Sequence, residues 1–234
     1  MSSLLIVLFT VLSYAVGAAL GVPLLVPVLN TLASYPFMVL ALKRGDLRLA
    51  VARMLIWAAA MGAAATLIAY VRPATADALF LRGQAYRTEM IAWVMTGQGA
   101  ESTPSQFIPQ QLTHAAAFTG LALATAGAAA MPMGAVLMNY MGTYVGGLAA
   151  ASRRPALMMV LGWHPWAVIR VVSFVILGVV LSVPLLSRLA GFTIDRALAR
   201  RLLIVAAAGL AADILLKTLL APAWQRLLLR VAGW

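Results

Sequence analysis

Four hydrogen-bonding side chains stand together in an otherwise apolar run: Asn139 and Thr143 are four residues apart, as are Tyr140 and Tyr144. On a helix that spacing puts each pair on one face and the two pairs side by side, at similar depth. Two uses follow. The cluster is a polar ligand site or translocation path, or it is a set of interhelical hydrogen bonds, at about 0.6 kcal/mol per contact.

Asp213 is the one acid well inside an apolar run, and Lys217 follows it by four residues in the favourable acid-before-base order. An ionisable residue at such a position is a functional candidate, for a proton or cation relay, or half of a structural ion pair. His114, beside Gln110 and Gln111, and His164 are far apart in the chain and form no shared metal site, and no third ligand stands at helical spacing. Each reads as an interfacial hydrogen-bonding residue; axial ligation of a haem by one histidine is compatible with the sequence, and cofactors are otherwise unknown. Met131, Met133, Met138 and Met141 offer soft thioethers. Met131 and Met133 diverge by about 200° around a helix, so packing outranks copper binding.

Enzyme signatures are missing: there is no HExxH, GxSxG or phosphate loop, and no acid pair within an apolar run. No catalytic residue is assigned, and a non-enzymatic role is expected. The absence of cysteine removes disulfides and thiol chemistry together.

The elements that carry these residues are apolar to a degree that water does not tolerate. Residues 1–42, 54–71 and 102–152 contain no Asp, Glu, Lys or Arg, and 64% of the chain is hydrophobic. Charge-free stretches of about 18 residues or more read as membrane spans, because a central charge costs roughly 2.5 to 3.5 kcal/mol. The expected fold class is all-α: a polytopic integral membrane protein forming one membrane domain, residues 1–234. About six transmembrane helices are expected, over 4–20, 24–42, 49–71, 113–150, 166–186 and 202–221.

Gly21, Pro23 and Pro27 divide the first run and predict a broken or re-entrant second segment. Leu4 to Leu12 resembles a secretory signal core, but it lacks a positive n-region, which favours an uncleaved span. In 76–96, Leu79, Tyr86, Met90 and Trp93 recur on one helical face with Arg82, Ala85 and Glu89 on another, predicting an outer amphipathic helix capped by Thr75 or Asp77 and ended by Gly97. Residues 97–106 read as an exposed loop. Trp163, His164, Pro165 and Trp166 read as an interfacial anchor, Pro222 as a helix end, and the tail after it as surface-bound. Gly17 with Gly21 and Gly142 with Gly146 match GxxxG, a sign of close helix packing or self-association.

Pro132 leaves 113–150 with two readings, one tilted or broken crossing, or two short passes meeting near Ala130. The net charge of +11 arbitrates. With Asp213 set aside, one crossing gives a cytoplasmic +9 against +3 and two crossings give +6 against +6, so the positive-inside bias favours one crossing and cytoplasmic termini. Arg188, Arg196, Arg200 and Arg201 then lie outside, against that bias. The basic residues serve topology and anionic lipid, not nucleic acid.

The expected function is that of a transporter, a channel or the membrane subunit of a transporter, with Asn139, Tyr140, Thr143, Tyr144, Asp213, Lys217 and His114 as ligand-binding candidates. The alternative is a non-catalytic structural or assembly subunit of a multi-protein membrane complex, one that carries electrons or pigments included. Expected partners are membrane lipids and either further copies of the chain or other membrane subunits, in a bacterial inner (cytoplasmic) membrane.

Overall fold

The computed structural model describes residues 2–234, and among them there is no strand. Eleven α-helices follow in order: α1 Ser2–Leu20, α2 Val26–Leu32, α3 Tyr35–Lys43, α4 Leu47–Val71, α5 Pro73–Leu79, α6 Gly83–Thr96, α7 Pro104–Thr125, α8 Ala130–Ala150, α9 Pro155–Leu161, α10 Pro165–Ala190 and α11 Arg196–Ala232. Single 3-10 turns precede α2 at Pro23–Leu25 and α7 at Ala100–Ser102. Five segments are long and apolar enough to cross a membrane: Ser2–Leu20, Pro23–Lys43 taken across its kink, Leu47–Val71, Pro165–Ala190 and Arg196–Ala232. Their outward faces are apolar as well, with Leu4 73%, Leu215 62% and Leu219 72% exposed. A fold in water buries such side chains; a helical membrane protein turns them to hydrocarbon.

The breaks follow local chemistry. Gly21, at φ +63°, turns the chain out of α1 and Pro23 starts the next leg, as the sequence predicts. A second interruption, at Ala33 and Ser34, was not predicted there. Pro36 has no N–H to give the Leu32 carbonyl, so helix α2 stops and α3 restarts on the Ser34 carbonyl, which accepts from Phe37 and Met38. Asp46 caps α4, accepting from the Leu49 N–H at 2.8 Å.

The long run taken as one span over 113–150 is two helices. It breaks not at Pro132 but at 126–129, where Ala126 and Gly127 both adopt positive φ. Pro132 instead stands in the first turn of α8, where a missing N–H costs little. Phe118 of α7 packs against Gly134 of α8, so the two helices fold back on each other as a hairpin.

Seven legs thus run alternately between two ends. At the first end Arg53 donates to Ser2 and to the Phe37 carbonyl, and Gly45 of the α3–α4 turn abuts the Thr193 carbonyl of the α10–α11 link. At the second end the Arg153 N–H donates to Ala232 and the Trp234 indole to Ala151. The two described termini therefore stand at opposite ends of the bundle. α4 and α8 form the central pair: Gly142 and Gly146 press directly on Ala65, Thr66 and Ala69. GxxxG here serves contact within the chain.

α5 and α6 replace the single amphipathic helix expected over 76–96. Arg82, at φ +52°, turns the chain between them, and Asp77 pairs with Arg87 at 2.8 Å instead of capping. Met90 and Trp93 are buried as their spacing predicts, and Gly97 ends α6 at φ +72°. The helix lies across the second end of the bundle, with Gly83 against Thr143, Arg87 against Gly147 and Trp93 against His164. Trp166 is fully buried beneath it and so is no headgroup anchor. Nor does Pro222 end a helix: α11, 37 residues long, continues past it to Ala232 because Trp224, Gln225 and Leu228 pack inward, Trp224 donating to Leu161 and Gln225 to Val94. Those contacts offset the roughly 3 kcal/mol that an interior proline costs.

Candidate functional site

Between α4, α7, α8, α10 and α11, under the roof of α6, lies a cavity of about 670 Å³. Four of the seven candidate residues line it: Tyr140, His114, Asp213 and Lys217. Tyr140 stacks on Tyr86 of the roof, with ring centroids 5.3 Å apart.

The other three are elsewhere. Asn139 is 3% exposed and sits in a closed network. It accepts from the Tyr14 hydroxyl at 2.7 Å and donates to Asn30 at 3.2 Å, and Asn30 donates to Ser13 at 2.7 Å. Thr143 donates back to the Asn139 carbonyl at 2.8 Å. Tyr144 stands 3.1 Å from His164 Nε2, in a cluster with Trp93, Trp166 and Trp224. The four-residue constellation thus splits because one helix shows different faces to different neighbours: Asn139 bonds to other helices, Thr143 bonds back within α8 and packs on Gly83, and only Tyr140 meets the cavity. Burial pushes the His164 imidazole down to about 4, so it is neutral.

Asp213 and Lys217 do not pair with each other. Lys217 donates to Glu101 at 2.8 Å, its ammonium 4.4 Å from the Phe107 ring centre. Asp213 faces Arg170 of α10 at 3.9 Å, beyond hydrogen-bond reach. The i, i+4 relation brings both near, but the facing elements present closer opposite charges. Burial alone would raise the Glu101 carboxyl; Lys217 and then Arg170 outweigh it and hold the group below its usual range. Glu101 lies in the stretch read as an exposed loop, and it is instead folded inward under α6.

Glu101 and Arg170 are among the site residues that sequence reasoning missed. Arg170 had a signal, as the single charge a few residues into the apolar run of 166–186. Glu101 had none, since a polar loop gives no sign of folding inward. Gln111 completes the wall at 9% exposure. Both of its amide atoms, and Asp213 Oδ1, are buried without a hydrogen-bond partner. Such groups cost about 1 to 3 kcal/mol each, which marks the cavity wall as incomplete by itself.

Comparison with protein-family models, with curated proteins and with solved structures finds no match.

Proposed function

We propose that this protein is a small transport-type membrane protein and that the cavity beneath α6 holds its solute during passage. One observation carries the reading: a void of about 670 Å³ inside a bundle of apolar helices is walled by Arg170, Asp213, Glu101 and Lys217. Charges within such a bundle are costly unless they pair or meet a solute, and intramembrane ionisable groups mark pathways by default. The irregular backbone at 32–35, inside the second leg, is of the kind tolerated at membrane depth only when buried or lining a cavity.

In this reading all seven legs cross the bilayer, a bacterial inner membrane, and the two ends of the bundle lie on opposite sides. The positive-inside bias does not choose the side, because each end then carries +6 with Asp213 set aside. The same threading removes the anomaly of Arg188, Arg196, Arg200 and Arg201, which share an end with Lys43, Arg44, Arg48 and Arg53.

The test is solute-driven charge movement by the purified chain in liposomes, screened over amino acids, amines and organic anions. A responding solute is expected, with its flux lost in Asp213→Asn although that variant inserts and purifies normally. Failed assembly of Asp213→Asn together with unchanged flux in whatever folds would leave Asp213 a structural partner of Arg170 and remove it from the solute path.

A further inference from the structure

The cavity wall is of two kinds. Towards α6 it is polar, with Arg170, Asp213, Gln111 and Lys217; the remainder is apolar, with Trp57, Phe118, Met131 and Phe174. Lys217 is already engaged by Glu101. Arg170 is not so engaged: its nearest carboxylate oxygen is 3.9 Å away and its side chain keeps 23% exposure within the bundle. Beside it, Asp213 Oδ1 and the Gln111 amide wait without partners.

Two edges of the cavity are open. Arg82, Glu89 and Gln110 form a polar one. The other is apolar and lateral: Leu112 of α7 and Ala207 and Ala211 of α11 line the cavity and are exposed, and these two helices pack on α10 with almost no contact between them.

Resting on the reading of this cavity as a binding site, we infer that it takes a zwitterionic amphiphile, a head bearing an anionic group and a primary amine on an apolar tail. The anion lies on the Arg170 guanidinium, whose fork matches carboxylate and phosphate. The amine donates to Asp213 Oδ1 and the Gln111 carbonyl oxygen, and the tail lies among Phe118, Met131 and Phe174, towards the α7–α11 seam. A purely anionic head would face Asp213, and a purely cationic one would face Arg170; a head with both charges satisfies the two. The volume suits a ligand of this size. The same chemistry has two sources, a single-tailed ethanolamine phospholipid entering through the seam and an apolar amino acid entering at the polar edge.

The experiment measures binding to the full chain in detergent by native mass spectrometry and thermal shift, with lysophosphatidylethanolamine, lysophosphatidylglycerol and phenylalanine as probes. The ethanolamine lipid is expected to bind at least tenfold more tightly than the glycerol lipid, which lacks the amine. Arg170→Gln and Gln111→Leu are each expected to weaken it about tenfold. Gln111→Leu removes two unpartnered atoms and is expected to keep or raise thermal stability, so its loss of binding is not a loss of fold. Displacement by phenylalanine assigns the site to free amino acids, and binding of the ethanolamine lipid without displacement assigns it to membrane lipid; both support the inference. Equal binding of the two lipids with no effect of either substitution, or no binding of any probe, overturns it. Binding without liposome flux would keep the ligand class and remove transport, whereas flux of other solutes without zwitterion binding would do the reverse.

Discussion

Glu101 and Lys217 show how much one residue contributes when its partner is buried. The Lys217 side chain is 2% exposed and Glu101 is 15% exposed, so the pair is shielded from screening. Lys217→Met leaves the carboxylate uncompensated, and a loss of about 3 to 5 kcal/mol is expected, read as a lowered midpoint of thermal unfolding in detergent. Adding Glu101→Gln is expected to restore most of it; equal losses in single and double variants would mean the pair does not hold the loop. His164 makes a different prediction. The native imidazole titrates near 4 and the unfolded one near 6.5, so between these values only the unfolded chain takes the proton. Stability therefore falls as pH falls through that window, by at most about 1.4 kcal/mol per unit. Melting midpoints from pH 7 to 5 should decline, and the slope should flatten in His164→Asn. An unchanged slope would place the titration in another group.

At the scale of elements, the α4–α8 contact is the least tolerant part of the bundle. A side chain at Gly142 would run into Ala65 and the Thr66 backbone, and one at Gly146 into Thr66 and Ala69. Gly120, on the outer face of α7, has open space around it. Gly142→Leu should abolish folded protein in detergent, judged by size-exclusion profile, while Gly120→Ala should be neutral or raise stability by up to about 1 kcal/mol from helix propensity. Similar behaviour of the two would contradict the close approach of α4 and α8. The breaks between elements were partly legible. Gly21 and Pro23 announced theirs, but Pro132 drew attention to a position where proline is well tolerated, whereas the actual hairpin turn uses Ala126, a residue with no turn signal of its own.

For the whole molecule the prediction concerns sidedness. The chain has no cysteine, so single cysteines report directly. With a membrane-impermeant maleimide on intact cells and on inverted vesicles, Lys43→Cys and Arg196→Cys should label from one side, and Arg153→Cys and Trp234→Cys from the other. Labelling of Lys43→Cys and Arg153→Cys from the same side would restore the six-span threading with 113–150 crossing once. The charge count did not detect the hairpin because a single crossing yields the more asymmetric sum, and a statistical bias prefers asymmetry.

The all-helical membrane class, the first three legs and the candidacy of Asp213 and Lys217 were written in the order of residues, because hydrocarbon imposes its demands on every apolar segment locally and charges inside such segments stand out. Tertiary structure alone decided which polar groups meet. Asn139 and Tyr140 are neighbours in the chain, yet Asn139 joins the Tyr14 and Asn30 network while Tyr140 faces the cavity. Lys217 finds Glu101, 116 residues away, before Asp213, four residues away. A helix fixes spacing along its own axis, but which face meets which neighbour is set by the crossing of whole helices, and that has no signature in any one of them.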